Sequence, residues 1–388
     1  MGPRPLGKGR QEGGGVDGNG DGRTGVTLFL CGDVMTGRGI DQVLPNPVRP
    51  TLYEPYMRSA LGYVELAEQA HGSIPRPVDF SYVWGDALAE LERRAPRYRI
   101  ANLETSVTTS EEPEPKGINY RMSPGNVECL RAARLDCCVL ANNHVLDWGR
   151  RGLIETLGTL HREGIATAGA GSDAQGAAAP AVLGSEPRVL VFGFCSPTSG
   201  VPASWEAATD RPGVSFLADL SPATAERTAE RIRAERRPGD IVVASIHWGE
   251  NWGYAIPAEQ RAFAHALIDM GAVDLVHGHS SHHPKGIERY RERLILYGCG
   301  DFLNDYEGIS GHEEYRADLV VAYFATLEPT TGRLARLSMI PFRCRRFRLE
   351  RADRADAEWL GRMFERASAA FGTAVELSGD SELELVTA

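Results

Sequence analysis

The sequence predicts an α/β fold, and two kinds of pattern support this prediction. From VTLFLCGD onward, short apolar runs rich in β-branched residues alternate with helical patterns, as in stacked βα units around a central sheet. The helical stretches also carry start signals: SPGNVECLRAA and SPATAERTAERIRAE each begin with a serine N-cap followed by proline. A chain of 388 residues can bury a substantial core around such a sheet without disulfides or structural metals.

The strands are predicted as apolar runs bounded by turn residues. In chain order they are VTLFLCGD, RYRIANLE, DCCVLANN, EPRVLVFGF, DIVVASIHW, VDLVHGH and RLILYGCG. Two further helices are predicted between them, RGLIETLGTLHREG ending at Gly164 and IPAEQRAFAHALIDMG ending at Gly271. Residues 44–79 and 108–123 are rich in proline, tyrosine and charge and are predicted to be irregular. Such loops are lids or substrate walls about as often as they are plain surface insertions.

The C-terminal part is predicted to form a hairpin and a helix. DLVVAYFATLEPTTGRLARLSMIPF has two strand patterns around the turn TTG, and DAEWLGRMFERASAAFG is helical. RCRRFRLER, between them, is predicted to be a solvated strand face or a helix lead-in. We therefore predict one domain over residues 25–345, a helical extension packed on it over 346–388, and a disordered Gly-rich tail over 1–24.

The tail contains residues that imitate a calcium site. Asp17, Asn19 and Asp21, followed by Gly22, resemble the start of an EF-hand loop. The twelfth position of such a loop should be a bidentate glutamate, but here it is Leu28, and no flanking helices are evident. Calcium binding is therefore not predicted.

Composition excludes several classes of function. The net charge of -10 and the pI of about 5.6 disfavour nucleic acid and anionic membranes as partners, since both attract basic surfaces. No segment approaches 18 uninterrupted apolar residues, so no membrane insertion is predicted. The seven cysteines include no CxxC pair, and several stand in apolar runs, which favours free thiols in a reducing compartment and a cytoplasmic location.

Polar residues that can bind metal recur where the predicted strands end. In an open α/β sheet these carboxyl ends frame the ligand crevice, so five strands are expected to deliver side chains to one rim. The residues are Asp33, Asn102, Glu104, Asn142, Asn143, His144, Asp147, His247, His279 and His282. Carboxylates, an amide oxygen and imidazoles together suit Mn, Fe or Zn, and about six donors would fit two neighbouring ions.

Each of these residues also has an ordinary structural explanation. Asp33 or Asn143 alone would more often be a turn or cap residue, and His247 alone would be a satisfied core histidine. The stretch DLVHGHSSHHPKGIE, with four of the ten histidines, could be a surface tract with adventitious metal affinity. Recurrence at equivalent strand ends favours a site. Within that stretch, His277 lies inside the strand and is predicted to pack or to support the ligands.

Six sequence blocks resemble the CapA/PgsA family of capsule and poly-γ-glutamate synthesis proteins. They are GDVMTGRGID, ANLETSVT, ANNHVLDWGRRGLIETLGTL, IHWGENWGY followed by P-x-x-Q-R, GHSSHHPKGIERY and LILYGCGDFLNDY, between about residues 27 and 306. The resemblance implies a calcineurin-like metallophosphoesterase architecture, a layered α/β/β/α sandwich. It also implies that some members act on γ-glutamyl polymers or related cell-surface material. GDFLNDYEG differs from the GNF-type block common in the family, which suggests a divergent branch.

The resemblance also implies functions for single residues. Metal ligands are expected at six positions: Asp33, Glu104, Asn143, His247, His279 and His282. Glu104 stands where metallophosphoesterases have a bridging aspartate, and Met35 stands where many of them have a histidine ligand. His144 is expected to assist the substrate oxyanion or the leaving group, with Asp147 orienting it.

Further residues are predicted to contact substrate or to support the site. Arg38 is a candidate anion clamp, since a guanidinium can grip phosphate or carboxylate with two hydrogen bonds, although an arginine after a strand is equally often a salt-bridge residue. Glu250, His283, Asn304 and Asp305 are the other candidates.

The expected function is that of a metal-dependent hydrolase with one or two divalent ions, in which metal-bound hydroxide attacks a phosphoester or a γ-glutamyl amide bond. Its substrate would be a small molecule or a γ-glutamyl polymer. Two alternatives remain open: a non-catalytic accessory or binding subunit in polymer synthesis, which the methionine at position 35 favours, and a ligase-like enzyme acting on γ-glutamyl or peptide bonds. Capsule proteins of this family resemble membrane-anchored, outward-facing subunits, whereas no anchor is predicted here.

Overall fold

The computed structural model of the chain describes residues 25–386. The predicted disordered tail, with its EF-hand-like residues Asp17, Asn19 and Asp21, lies outside the described residues. Within the described part, no helix has both the length and the apolar character needed to cross a membrane.

The seven predicted strands are all present, and shorter strands lie between them. In chain order the strands are β1 (Val26–Val34), β2 (Tyr98–Leu103), β3 (Ser106–Val107), β4 (Arg121–Met122), β5 (Cys137–Val139), β6 (Ala166–Ala168), β7 (Ala170–Gly171), β8 (Ala181–Leu183), β9 (Val189–Cys195), β10 (Gly213–Val214), β11 (Ile241–His247), β12 (Leu275–His279), β13 (Ile287–Tyr290), β14 (Arg293–Leu296), β15 (Asp301–Leu303), β16 (Leu319–Leu327), β17 (Leu334–Arg345), β18 (Arg348–Arg351), β19 (Ala374–Leu377) and β20 (Leu383–Val386). The predicted runs correspond to β1, β2, β5, β9, β11, β12 and β14.

The predicted helices are also present, with their start signals in use. The α-helices of the described residues are α1 (Arg38–Val43), α2 (Leu61–His71), α3 (Ala87–Arg94), α4 (Glu128–Ala132), α5 (Gly149–Arg162), α6 (Ala174–Ala178), α7 (Pro222–Glu235), α8 (Ala258–Asp269) and α9 (Arg354–Ser368). The hydroxyl of Ser221 accepts a hydrogen bond from the backbone N–H of Thr224 and so caps α7. Ser123 caps a short 3-10 turn that leads into α4.

Two regions differ from their sequence-based prediction. The prediction that residues 44–79 are irregular was wrong for α2, whose narrow buried face of Tyr63, Val64 and Ala67 gives a weak apolar pattern. After residue 345 the chain forms the expected helix α9 but also β18, β19 and β20, which join the larger sheet. These strands are short and carry charged residues among the apolar ones, so their pattern is weak as well.

Two large sheets form the centre of the molecule. The ten-stranded sheet has the order β19-β20-β17-β16-β1-β2-β5-β6, with β15 also paired to β1 and β18 to β17. The six-stranded sheet has the order β13-β14-β12-β11-β9-β8. β1 runs parallel to both β2 and β15, while β11 runs parallel to β9 and β12. The parallel strands therefore present their carboxyl ends together.

The two sheets pack face to face and helices cover their outer faces. Between the sheets, Leu28 of β1 lies in one apolar cluster with Val191 of β9. On the outer face of the larger sheet, Leu91 of α3 and Leu153 of α5 pack in a second cluster. On the outer face of the smaller sheet, α7 and α8 contribute a third cluster that includes Phe263. This arrangement confirms the predicted α/β/β/α sandwich.

The carboxyl end of β1 and the start of β15 approach so closely that no side chain fits between them. A Cβ atom on Gly32 would lie 1.7 Å from the carbonyl oxygen of Gly300. Gly300 itself has a φ of +76°, in the left-handed region that favours glycine. The backbone N–H of Asp33 donates to that same carbonyl at 3.0 Å. The two glycines therefore set the distance between the residues that follow them, Asp33 and Asp301.

Candidate functional site

The predicted polar residues collect at one edge of the sandwich, where strands of both sheets end. Asp33 and Asn102 are register partners on β1 and β2. His247 and His279 are register partners on β11 and β12. Across the two sheets, Nδ1 of His279 lies 4.0 Å from Oδ1 of Asp33. The structure thus brings together the strand ends that the sequence pattern singled out.

Two groups of three side chains could each hold a metal ion, and Asp33 belongs to both. The first group is Asp33, His247 and His279. The second is Asp33, His282 and Asp301. In each group one oxygen or nitrogen atom from every residue lies within 4.8 Å of the others. All five side chains are buried, so water competes little with them for a cation.

Asp33 accepts two hydrogen bonds, and its surroundings shift its pKa strongly. The side-chain amide of Asn102 donates to its Oδ1 at 2.7 Å, and the backbone N–H of Ser280 donates to its Oδ2 at 3.3 Å. Burial, followed by the nearby Asp301 carboxylate, raises the pKa of Asp33 to about 7. A divalent cation between the two carboxylates would lower this pKa again, because its charge would offset both the burial of Asp33 and the repulsion from Asp301. The donor set of carboxylate oxygens and imidazole nitrogens therefore fits Mn, Fe or Zn.

His277 begins a series of hydrogen bonds that leads to the metal-binding groups. Burial lowers the pKa of His277 to about 4, so its ring is neutral and has one N–H. Its Nε2 lies 2.9 Å from the carbonyl oxygen of Cys31, which can only accept, so Nε2 carries the proton. Nδ1 of His277 must then accept, and the hydroxyl of Ser245 donates to it at 2.9 Å.

The same hydroxyl determines the tautomer of His279. Because its proton is donated to His277, the oxygen of Ser245 accepts from Nε2 of His279 at 2.9 Å. Burial also lowers the pKa of His279, so its neutral ring has an unprotonated Nδ1. That nitrogen lies 2.9 Å from Nδ1 of His247 and faces the Asp33 carboxylate. An imidazole fixed in this tautomer is prepared to bind a metal ion.

Replacing Ser245 with alanine should weaken metal binding although Ser245 is not itself a ligand. Without the hydroxyl, nothing holds the proton of His279 at Nε2, and loss of such a supporting partner costs about 10- to 100-fold in metal affinity. We expect a decrease of this size in Zn²⁺ or Mn²⁺ affinity, measured by titration against a competing chelator. Thr228→Val is the control, because it removes a buried hydroxyl that bonds only to the carbonyl of Thr224 within α7, away from the ligand groups. Equal affinities in the two variants would contradict the tautomer assignment.

Glu104 and Asn143 lie beside the first group. Oδ1 of Asn143 is 3.2 Å from Nε2 of His247. Oε1 of Glu104 is 3.9 Å from the same nitrogen and 3.8 Å from Nε2 of His144. Burial, followed by the charge of Asp33, raises the pKa of Glu104. Both predicted ligands thus lie near Nε2 of His247, and Glu104 belongs to neither of the two groups of acidic and histidine ligands found among residues 25–386.

His144 and Asp147 form the pair that the sequence predicts. Nδ1 of His144 is 2.6 Å from Oδ2 of Asp147, and the backbone N–H of Tyr120 donates to the same oxygen at 2.6 Å. The carboxylate therefore fixes the ring so that Nε2 faces Glu104. Burial lowers the pKa of His144 to about 4, so the ring is neutral near pH 7.

Lys116 is a residue of this site that sequence reasoning missed. Its Nζ lies 2.8 Å from Oδ1 of Asp147 and 3.4 Å from Nδ1 of His144. It also donates to the backbone carbonyl of Asn143. Lys116 stands in the irregular stretch 108–123, where a charged residue among several others carries no signal in the sequence. Its contacts attach this loop to the His144–Asp147 pair.

Asp301 is the second residue that was missed, and here the sequence did contain a signal. Its Oδ1 lies 2.9 Å from Nδ1 of His282, and the amide of Asn304 donates to its Oδ2 at 2.8 Å. Burial disfavours the charged form of His282, but the charges of Asp301 and Asp33 outweigh burial and raise its pKa. Asp301 is the acidic residue at which the GDFLNDYEG block departs from the GNF type.

Met35 lies in the wall of the site as a buried apolar residue. Its sulfur accepts a hydrogen bond from the hydroxyl of Tyr306 at 3.7 Å, and its backbone N–H donates to Leu303 of β15. Where many metallophosphoesterases are expected to have a histidine ligand, this chain has Met35. The neighbouring strand β15 instead carries an additional carboxylate, Asp301.

The two predicted substrate contacts Arg38 and Asp305 bind each other. The guanidinium of Arg38 donates to both carboxylate oxygens of Asp305, at 3.1 Å and 2.5 Å, and also to Glu54 at 3.0 Å. A further donor of the same group contacts the hydroxyl of Tyr63. All four side chains are buried. Most of the guanidinium that was predicted to bind an anion is therefore engaged within the protein.

The remaining predicted contacts are distributed around the site. Asn304 supports Asp301, as described above. Glu250 is exposed on the loop after β11. His283 is buried, and its ring stacks on Tyr315 with centroids 4.6 Å apart. Nδ1 of His283 donates to the carbonyl of Pro284, while Nε2 has no hydrogen-bond partner among residues 25–386.

Comparison with known proteins adds independent information about this site and fold. A family model described as bacterial capsule synthesis protein PGA_cap matches residues 27–306. A Mycobacterium tuberculosis H37Rv protein named probable polyglutamine synthesis accessory protein is 49% identical over 367 residues, which is 94% of this chain and 96% of that protein.

Two proteins of Bacillus are more distantly similar. The PGA biosynthesis protein CapA of Bacillus subtilis is 30% identical over 219 residues, covering 55% of this chain and 54% of that protein. The capsule biosynthesis protein CapA of Bacillus anthracis is 24% identical over 284 residues, covering 72% of this chain and 60% of that protein. The matched family region contains every residue of the two candidate metal-binding groups.

Proposed function

Since the chain belongs to the PGA_cap family of bacterial capsule synthesis proteins, as its sequence blocks predicted, we propose that it is a metal-dependent hydrolase. The bond that it cleaves is a phosphoester or a γ-glutamyl amide bond in a capsule-related small molecule or polymer. One observation carries this proposal: a buried carboxylate, Asp33, belongs to two ligand groups at once. A residue shared in this way suits two neighbouring ions better than one structural ion.

The ligands of the two ions would come from both sheets. His247, His279, Asn143 and Glu104 would surround one ion and His282 and Asp301 the other, with Asp33 common to both. Bound there, divalent ions would supply Lewis-acid stabilisation and an activated water at neutral pH. In this proposal Asp301 provides the ligand that Met35 cannot provide.

His144 would act on the leaving group. Its Nε2 is directed toward the cluster, and the bond from Nδ1 to Asp147 holds the ring in one tautomer. Because the ring donates its single proton from Nδ1 to Asp147, Nε2 of the neutral imidazole would first accept a proton from the attacking water and then donate it to the departing oxygen or nitrogen. Lys116 would hold Asp147 and the backbone of Asn143 in place.

The wall of the site would position the substrate. The substrate would pack against the hydrogen-bonded side chains of Arg38, Asp305 and Asn304. At the rim of the site it would contact Glu250 and His283. The seven cysteines are all free and buried, which supports a reducing compartment, and we place the protein in the cytoplasm on that ground.

An accessory subunit without catalysis is the second candidate. The 49% identical M. tuberculosis protein is named an accessory protein, which favours this alternative. An accessory subunit could retain bound metal and bind a polymer, but it would not turn over a substrate. The two functions therefore differ in hydrolysis and not in metal content.

The experiment that tests the proposal measures metal and turnover in the same preparation. Purified protein is analysed for bound Mn, Fe and Zn, and then assayed on a generic phosphoester and on γ-glutamyl-p-nitroanilide with each metal added. We expect up to two ions per chain and hydrolysis of one substrate class that stops when EDTA is added. Metal-loaded protein that hydrolyses neither class would reject the hydrolase and favour the accessory function.

A further inference from the structure

A cavity of about 560 Å³ opens beside the candidate metal-binding groups. His282 and Asn304 line its inner end, so the cavity is continuous with the second group. The size is within the range of pockets that bind small molecules. Seven of its 21 lining residues are large aromatic or aliphatic residues: Tyr56, Tyr63, Ile118, Tyr120, Trp252, Tyr306 and Ile309.

Three tyrosine hydroxyls of this wall are already bonded within the protein. The hydroxyl of Tyr63 contacts Arg38 and Glu54, and the hydroxyls of Tyr120 and Tyr306 are 3.2 Å apart. Tyr306 also donates to Met35. The aromatic rings are therefore available to an occupant, but these hydroxyls are not. An occupant rich in hydroxyl groups would lose hydrogen bonds to water that these groups do not replace.

Three basic residues of the wall have acidic partners as well. Arg38 is paired with Glu54 and Asp305, as described above. His71 lies 2.5 Å from Glu307. Arg316 donates to both oxygens of Asp318 at 2.8 Å. The lining residues include three acids, two arginines and three histidines, and both arginines are paired, so an anionic occupant would meet no free arginine among them.

Apolar side chains also surround the mouth of the cavity. Tyr56, Ile118 and Ile309 are 69%, 36% and 49% exposed. They come from three separate loops, so their convergence is not the result of one apolar segment. Large exposed apolar side chains gathered around a cavity mark a binding surface.

We propose that this cavity binds an uncharged, apolar group of the substrate next to the bond that is cleaved. A run of γ-glutamyl carboxylates fits it poorly, because both arginines of the wall are already paired with acids of the protein. This inference rests on the proposed hydrolase function only for the position of the cleaved bond. The binding preference itself can be measured without turnover.

The test uses two fluorescent probes with the same rings. N-phenyl-1-naphthylamine is uncharged, and 8-anilinonaphthalene-1-sulfonate adds one sulfonate. Both are titrated into the full chain in EDTA, so that bound metal does not attract the anion. We expect the uncharged probe to bind once per chain and at least about tenfold more tightly, which is about 1.4 kcal/mol. A γ-glutamyl-glutamate peptide is expected not to displace it.

Three variants locate the binding site. Ile309→Glu should reduce the affinity for the uncharged probe about tenfold, whereas Val182→Glu, at an equally exposed position on β8, should not change it. Asp318→Asn releases Arg316 from one partner and should improve binding of the sulfonate alone. Tighter binding of the sulfonate by the wild type, displacement by the peptide, or indifference to Ile309→Glu would each overturn the proposal. Probe binding without hydrolysis would reject only the proposed function.

Discussion

Replacing Asp33 with asparagine should remove both divalent ions and with them most of the hydrolysis. Asp33 is the one residue that belongs to both groups of candidate ligands. Removing a residue that supports a metal ligand lowers metal affinity or activity about 10- to 100-fold. The loss of a shared ligand should therefore lower kcat/KM by more than about 100-fold. The measurements are metal content after dialysis and hydrolysis of the substrate class found for the wild type.

Two comparisons make this result specific. Asp301→Asn should lose one ion and retain the other, because Asp301 belongs only to the second group. Asp274→Asn is the control for burial, since this carboxylate is also buried but pairs with Arg236 and Arg293 at the opposite end of β12. A variant of Asp33 that keeps two ions per chain would contradict the shared-ligand assignment.

Replacing His144 with alanine should abolish most turnover while metal content stays unchanged. The ring touches Glu104 and Asp147 but belongs to neither ligand group. A general acid–base group typically raises the reaction rate about 10²- to 10⁴-fold. We expect a decrease of this size in kcat with little change in KM. The measurement is steady-state kinetics on metal-loaded protein, with metal content determined in the same sample.

The leaving group provides the control for this prediction. If His144 protonates the departing atom, a substrate with a good leaving group, such as p-nitrophenolate, needs it less than a substrate with an alkoxide leaving group. The variant should therefore lose less activity on the aryl ester than on the alkyl ester. An equal loss on both, or a loss of metal, would assign His144 a different function.

Much of the fold and the centre of the site could be predicted from the sequence. The apolar runs identified seven strands of the two sheets, because buried parallel strands have few polar interruptions. Polar residues at the ends of these runs led to Asp33, His247, His279 and His282, which the structure brings together.

The rest depends on contacts between distant segments. Lys116 belongs to an irregular loop, and only folding brings its ammonium group to Asp147. Arg38 was predicted to bind an anion, but its guanidinium meets Asp305 and Glu54, and neither pairing has a local signal in the sequence. Asp301 follows a predicted strand, but its importance depends on pairing of β15 with β1.

The contact between Gly32 and Gly300 makes the spacing of the two carboxylates a property of the backbone. Asp33 and Asp301 could each be exchanged for another ligand type without moving the strands, whereas any side chain at Gly32 would push the strands apart. Substitutions among the ligands would therefore change which metal binds, while the two glycines, neither of which belongs to a ligand group, would keep the spacing. A divergent relative could therefore change its chemistry and keep its site.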